Sequence, residues 1–133
     1  MSVKHTADPD LAAVPHPCES WPDDGRAFRE TLDRIGDKWS VLVIGILSRG
    51  PLRFSALQHH VPGVSQRMLT RTLRHLERDG VVSRTAYAEV PPRVEYQLTP
   101  LGESLRTIVH ALAQWVTDHH GEVESARHRY DAE

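Results

Sequence analysis

Residues 63–80 read Gly63-Val64-Ser65-Gln66-Arg67-Met68-Leu69-Thr70-Arg71-Thr72-Leu73-Arg74-His75-Leu76-Glu77-Arg78-Asp79-Gly80, and their reading decides the fold. Ser65 is a helix-start residue, because its side-chain oxygen can accept from a first-turn N–H that has no carbonyl partner inside the helix. Gly80 is a helix-stop residue, free to take the left-handed conformation that closes a helix. Between them Leu69, Thr72, Leu73 and Leu76 fall at i, i+3, i+4 and i+7 and so share one face. Arg67, Arg71, Arg74 and Arg78 fall at i, i+4, i+7 and i+11 and share another. One side suits a core while the other presents guanidinium groups. At 1.5 Å per residue the helix is roughly 20 Å long, a size that lies in a DNA major groove. A stripe of arginines taken alone is more often a solvated helix face, and Glu77 and Asp79 dilute its charge. The neighbouring segments decide between the two.

Upstream, Asp23 or Asp24 offers an N-cap, and Phe28, Leu32 and Ile35 follow at helical spacing. Gly36 interrupts this helix. A second is predicted over Asp37–Ser48, where Trp39, Leu42, Val43, Ile46 and Leu47 make it apolar enough to be the central buried helix, and Gly50-Pro51 stops it. Leu52-Arg53-Phe54 reads as a very short strand. Ser55-Ala56-Leu57-Gln58 matches a capping box and predicts a short helix from Ser55 to His60, ended by Pro62-Gly63. Two helices joined by a tight Pro/Gly-containing turn, the second one basic, form a helix-turn-helix pattern.

Downstream the period changes. Residues 81–87 are rich in β-branched side chains, and Val94, Tyr96 and Leu98 alternate to one side of a second strand. Ala88-Glu89-Val90-Pro91-Pro92-Arg93 between them predicts a proline-stiffened hairpin turn whose tip carries Arg93. A hairpin directly after a recognition helix is a wing, able to reach the minor groove or the phosphate backbone. Thr99-Pro100 then reads as an N-cap followed by proline at the first helical position. One long helix is predicted from there to about His119-His120-Gly121, with Leu101, Leu105, Ile108, Leu112, Trp115 and Val116 in one stripe. Leu101 and Leu105 are expected inward. Leu112, Trp115 and Val116, with Phe28, are expected at an interface with a second copy. The expected organisation is an irregular N-terminal arm (1–22), a winged helix-turn-helix and dimerisation domain (23–121) and a polar C-terminal tail (122–133). The fold class is α+β, mainly α.

Composition bounds the function. The net charge of −2 does not announce a nucleic-acid binder, but its distribution does. Between Arg53 and Arg93, seven arginines face Glu77, Asp79 and Glu89, a local +4, whereas residues 1–24 carry −4. A single cysteine, Cys18, excludes an intramolecular disulfide framework and a multi-cysteine zinc site, and fits a reducing cytosol. No apolar run reaches the ~18 residues of a membrane span, and no signal-peptide core opens the chain, so it reads as soluble and cytoplasmic. Nine histidines raise a metal hypothesis. His59-His60 and His119-His120 are adjacent pairs whose side chains diverge on a helix, so surface histidines are the better reading and neither a metal nor a cofactor is expected. There is no glycine-rich phosphate loop and no G-x-S-x-G elbow, so an enzyme is not expected.

Six pieces in order carry a family resemblance: Ile35-Gly36-Asp37-Lys38-Trp39, Gly50-Pro51-Leu52-Arg53-Phe54-Ser55-Ala56-Leu57, Pro62-Gly63-Val64-Ser65-Gln66-Arg67-Met68-Leu69, Leu76-Glu77-Arg78-Asp79-Gly80, Glu89-Val90-Pro91-Pro92-Arg93-Val94-Glu95-Tyr96, and Leu98-Thr99-Pro100-Leu101-Gly102. Over about residues 26–120 this string resembles the HxlR-type winged helix-turn-helix transcriptional regulators, relatives of the MarR group. The resemblance implies a homodimeric, cytoplasmic, sequence-specific DNA-binding regulator on a double-stranded operator, a repressor or activator of nearby genes. It also implies a small-molecule or redox and electrophile signal. By position it places Ser65, Gln66, Arg67, Thr70, Arg71 and Arg74 on the groove-facing part of the recognition helix, and Arg93 at the wing tip. Sensing members carry a cysteine before the first helix, which makes Cys18 the candidate sensor, although its distance from Lys38-Trp39 is longer than in the family pattern.

Donor geometry divides the roles. Gln66, Arg67 and Arg71 near the helix start suit bases, since Gln pairs with adenine N6 and N7 and Arg with guanine O6 and N7. Arg74, Arg78, Arg84 and Arg93 suit phosphates. Ser65 and the first N–H groups of its helix also suit a phosphate. The alternative is a winged helix used for protein contact without sequence-specific DNA binding. Acidic residues on the recognition face would favour it, and this chain has arginines there.

Overall fold

The computed structural model describes residues 23–133. The expected arm 1–22, with Cys18, lies outside the described residues. The chain divides into two units, residues 1–36 and 37–133. In the first, residues 23–25 form one 3-10 turn with Asp23 at φ +57°, a left-handed conformation that Asp tolerates better than most side chains. Asp23 Oδ1 accepts from the Arg26 N–H at 3.0 Å, so Asp23 starts helix α1, Arg26–Gly36. Phe28 and Ile35 are half-buried on it and Leu32 is exposed.

The second unit is built around helix α2, Lys38–Leu47. Asp37 caps it, its carboxylate accepting from the N–H groups of Trp39 and Ser40 at 3.1 and 3.4 Å. The inward stripe is Ser40, Val43, Ile44 and Leu47, one position away from the stripe expected through Leu42 and Val43. Leu42 is 43% exposed. The shift has a local cause: Ser40 reads as polar, yet it lies at i of the buried i, i+3, i+4, i+7 set.

Strand β1 (Leu52–Arg53) leads into helix α3, Phe54–His60. The capping box expected at Ser55 does not form, because the N-cap position is Arg53, which makes no side-chain cap bond. Pairing of Leu52 with Tyr96 and of Arg53 with Glu95 already sets where the strand ends, so Ser55 falls inside the first turn. Helix α4 (Gln66–Arg78) follows, then strands β2 (Val82–Tyr87) and β3 (Arg93–Leu98). The sheet is antiparallel in the order β1-β3-β2, with the hairpin register running from Val82 opposite Leu98 to Tyr87 opposite Arg93. Leu57, Val61, Leu69, Leu73, Leu76, Val81, Val82, Leu98 and Val109 close the core around α2.

The single long C-terminal helix is a correction on two counts. It is broken into α5 (Pro100–Glu103) and α6 (Arg106–Asp131). Thr99 starts α5 as expected, its Oγ1 accepting from the Gly102 N–H at 3.1 Å while donating to the Gly80 carbonyl at 2.5 Å. That hydroxyl pins α5 to the helix α4 stop and the start of β2. Gly102 is buried there, and a Cβ on it would collide with the Val81 carbonyl. The Ser104 N–H is shared between the Pro100 and Leu101 carbonyls at 3.2 Å each, and the Leu105 N–H bonds the Gly102 carbonyl at 3.0 Å, so the turn between the two helices is tightened. Leu105 then packs on the core, but Leu101, expected inward, is 57% exposed. Helix α6 also runs past its expected end, through Gly121 to Asp131, so residues 122–131, read as polar with a last helical turn or two, continue the same helix. One glycine costs a helix only about 1 kcal/mol. The flanks carry i,i+4 pairs, Gln114 donating to Asp118 at 2.9 Å and His120 near Glu124 at 3.5 Å.

Candidate nucleic-acid interface

Helix α4 is seated by its start and its apolar face. Ser65 Oγ accepts from the Met68 N–H at 3.1 Å, the capping bond expected of it. Leu69, Thr72, Leu73 and Leu76 are buried, which fixes the helix rotation. Gln66, Arg67, Arg71, Arg74 and Arg78 are consequently exposed. Among the described residues, none of these four arginines is ion-paired with a carboxylate. Their charge therefore projects from the protein instead of being cancelled within it, and a cluster of like cations on one face raises the local potential for an anionic polymer. Thr70 is half-buried and its hydroxyl donates to the Gln66 carbonyl at 2.8 Å, leaving its oxygen as an acceptor only.

Ser65, Gln66, Arg67, Thr70, Arg71 and Arg74 line one concave stretch of this face. A second notch lies between α4 and the hairpin, lined by Thr70, Leu73, Arg74, Glu77, Arg84 and Tyr96. It brings Arg74 and Arg84 to the same recess although they lie on different elements. Arg84 is opposite Tyr96 in the hairpin register.

Arg93 is not at the hairpin tip. It opens β3, and its guanidinium lies 3.1 Å from Glu89 and 3.4 Å from Glu95 while covering the ring of Tyr87 at 4.1 Å. The tip is Val90-Pro91-Pro92, all exposed. Tyr87, Glu89 and Glu95 were not singled out by sequence reasoning. A symmetric hairpin register would have exposed two of them: it puts Tyr87 directly across from Arg93 and Glu95 two positions along on the same face.

Of the residues expected at an interface, Leu112, Trp115 and Val116 are exposed on α6 with Ile108. Trp115 is 53% exposed and stacks on His119 at 4.7 Å. Phe28 belongs to the other unit and is half-buried there. Where α6 crosses α2, Gly45 approaches Val109, and Ser48 ties the two helices. Its hydroxyl donates to the Gly45 carbonyl at 2.6 Å and accepts from His110 Nε2 at 3.0 Å. Among the described residues no group of His, Cys, Asp and Glu is placed to hold a metal ion, and no helix is long and apolar enough to cross a membrane.

Comparison with known proteins agrees with this geometry. A family model described as HxlR-like helix-turn-helix matches residues 34–124. The chain is similar to the uncharacterised HTH-type transcriptional regulator YkvN of Bacillus subtilis strain 168, with 46% identity over 104 residues, 78% of this chain and 87% of that relative. Among solved structures, the reduced form of the redox regulator HypR superposes with a TM-score of 0.68 at 40% identity, covering 74% of this chain and 98% of that one. The diamide-treated YodB of B. subtilis superposes with a TM-score of 0.60 at 30% identity, covering 70% and 92%.

Proposed function

This chain belongs to the HxlR-like helix-turn-helix family and is a DNA-binding transcriptional regulator, and from that premise we propose that it works as a homodimeric, cytoplasmic repressor on a short pseudo-palindromic operator. The observation that carries this reading is the two-sidedness of α4, with four side chains in the core and four arginines unpaired among the described residues. Gln66, Arg67 and Arg71 read base edges from the N-terminal half of the helix. Arg74 and Arg84, from either side of one notch, and Arg78 clamp phosphates. The Ser65 hydroxyl and the first free N–H groups of α4 donate to the DNA backbone, and Thr70 accepts from a neighbouring base. Two copies meet through the exposed α6 stripe and hold their recognition helices about 34 Å apart, one turn of DNA. Regulation is by binding and not by catalysis.

The signal reaches the protein at Cys18, the chain's only thiol, or as a small molecule. Support for the thiol comes from similarity to a protein named a redox regulator and to one studied after diamide treatment. Replacing Cys18 by Ser abolishes a quinone or peroxide response if the thiol is the sensor, and an intact response assigns the signal to another site.

The test of the whole reading is electrostatic. A dimer making about 6–10 phosphate contacts loses roughly 10³–10⁵ in affinity between about 50 and 200 mM salt. This can be read by gel shift on fragments selected from the source genome. A flat salt response removes the phosphate clamps and the reading with them.

A further inference from the structure

The sequence invites a simple role for Arg93, a cation on a wing that touches phosphate, and the structure shows its charge already used. Nη2 lies 3.1 Å from Glu89 Oε1, and Nη1 lies 3.4 Å from Glu95 Oε1. The flat face of the guanidinium covers Tyr87 from across the hairpin. The side chain is only 28% exposed, and Nε is closed off from solvent without a partner. A nitrogen that has lost its water and gained no acceptor is held where it is by the contacts of the rest of the group. Those contacts use what is particular to arginine, a planar fork with a stacking face, and a lysine ammonium offers neither. With two carboxylates against it, the charge of this guanidinium is compensated within the hairpin. Beyond it the tip is Val90, fully exposed, with Pro91 and Pro92.

The geometry points to Arg93 as the positioning residue of the wing and to the neutral tip Val90-Pro91-Pro92 as the surface the hairpin lays against the duplex. This rests on the DNA-binding reading above. With Arg84 lying back on β2 beside α4, the tip of this wing lacks the free guanidinium that seeks the strongly negative, narrow minor groove of A-tracts. It meets DNA by shape, as apolar residues including proline do when they press on base steps from the minor-groove side. The operator positions under the wing are then selected by groove width and deformability, with little dependence on salt.

Arg93→Lys separates the two roles because it keeps the charge and removes the fork. Fluorescence anisotropy on an operator fragment, across a range of salt, should show Arg93→Lys binding about tenfold more weakly than wild type with an unchanged salt slope. Tyr87→Leu, which alters no charge, should show the same defect. The double variant should be no worse than either single one, as for residues of one network. In the free protein, amide exchange across Tyr87–Glu95 should quicken in both variants. Val90→Lys, at a fully exposed position, should steepen the salt slope by about 0.9, one added phosphate contact. Wild-type binding by Arg93→Lys, with Arg93→Gln losing affinity and a slope of about one contact, overturns the proposal in favour of a direct phosphate clamp. An unaltered slope in Val90→Lys removes the tip from the duplex. Absence of salt-dependent binding by the wild-type protein defeats the DNA reading itself, and amide exchange still reports on the brace.

Discussion

Gly102 sits where α5 presses on the start of β2, and a side chain there would meet the Val81 carbonyl and then Leu98. A carbonyl cannot swing aside as a side-chain tip can, so Gly102→Ala should cost about 2 kcal/mol or more of stability. Urea unfolding with an unchanged m-value checks this, and a wild-type midpoint would contradict it. On the recognition face the expected effect is on discrimination. Arg71→Ala should lose about 1–3 kcal/mol at one operator position if Arg71 reads a base, whereas uniform weakening on all sequences would move it to the backbone. The two side-chain caps at Ser65 and Thr99 were legible in the sequence, because a cap bonds an N–H three residues away and needs no tertiary information. The same local logic failed at Ser55, where strand pairing decided the helix start. Arg93 shows the other limit. Its partners are set by a cross-strand register, and no run of neighbours reveals that its charge is neutralised.

Element boundaries were legible where a strong breaker stands alone and illegible where geometry outside the element decides. Gly80 closes α4 at φ +78° and Gly63 makes the preceding turn at φ +84°, both positions that the sequence marks plainly. No proline or glycine stands at the break between α5 and α6 itself, Ser104-Leu105. The break goes with α5 being held down by Thr99 and by the close approach of Gly102, while Leu105 and Val109 just beyond it pack on the core. Gly121 shows the reverse, a residue that looks like a stop and lies inside a 26-residue helix. Nothing lies within 4 Å of a Cβ placed on it. Gly121→Ala should therefore stabilise α6 by about 1 kcal/mol and raise the helical circular-dichroism signal and its melting temperature. A lowered melting temperature would show that the glycine is needed by something packed against it.

At the scale of the whole molecule, the exposed stripe Ile108, Leu112, Trp115 and Val116 is the feature that one chain leaves unexplained. Trp115→Asp should convert a dimer into single chains in sedimentation at micromolar concentration, and operator affinity should fall with it, since each copy then pays separately for its half-site. An unchanged sedimentation coefficient would return the stripe to solvent or to its own chain. The exposed apolar stripe was readable as a pattern because all four residues keep helical spacing within α6, while its orientation relative to the arginine face was not. The route between them is short. Helix α2 packs against α4 on one side and α6 on the other, with Gly45 close to Val109 and Ser48 bonded to His110. A protein interior this dense passes on displacement instead of absorbing it. In the proposed dimer, a slip of an ångström or two along the seam between copies would thus alter the span between two reading heads. The pitch of DNA does not adjust to follow them. Release from an operator would need no unfolding and no separation of subunits, only a pair of callipers set to the wrong width.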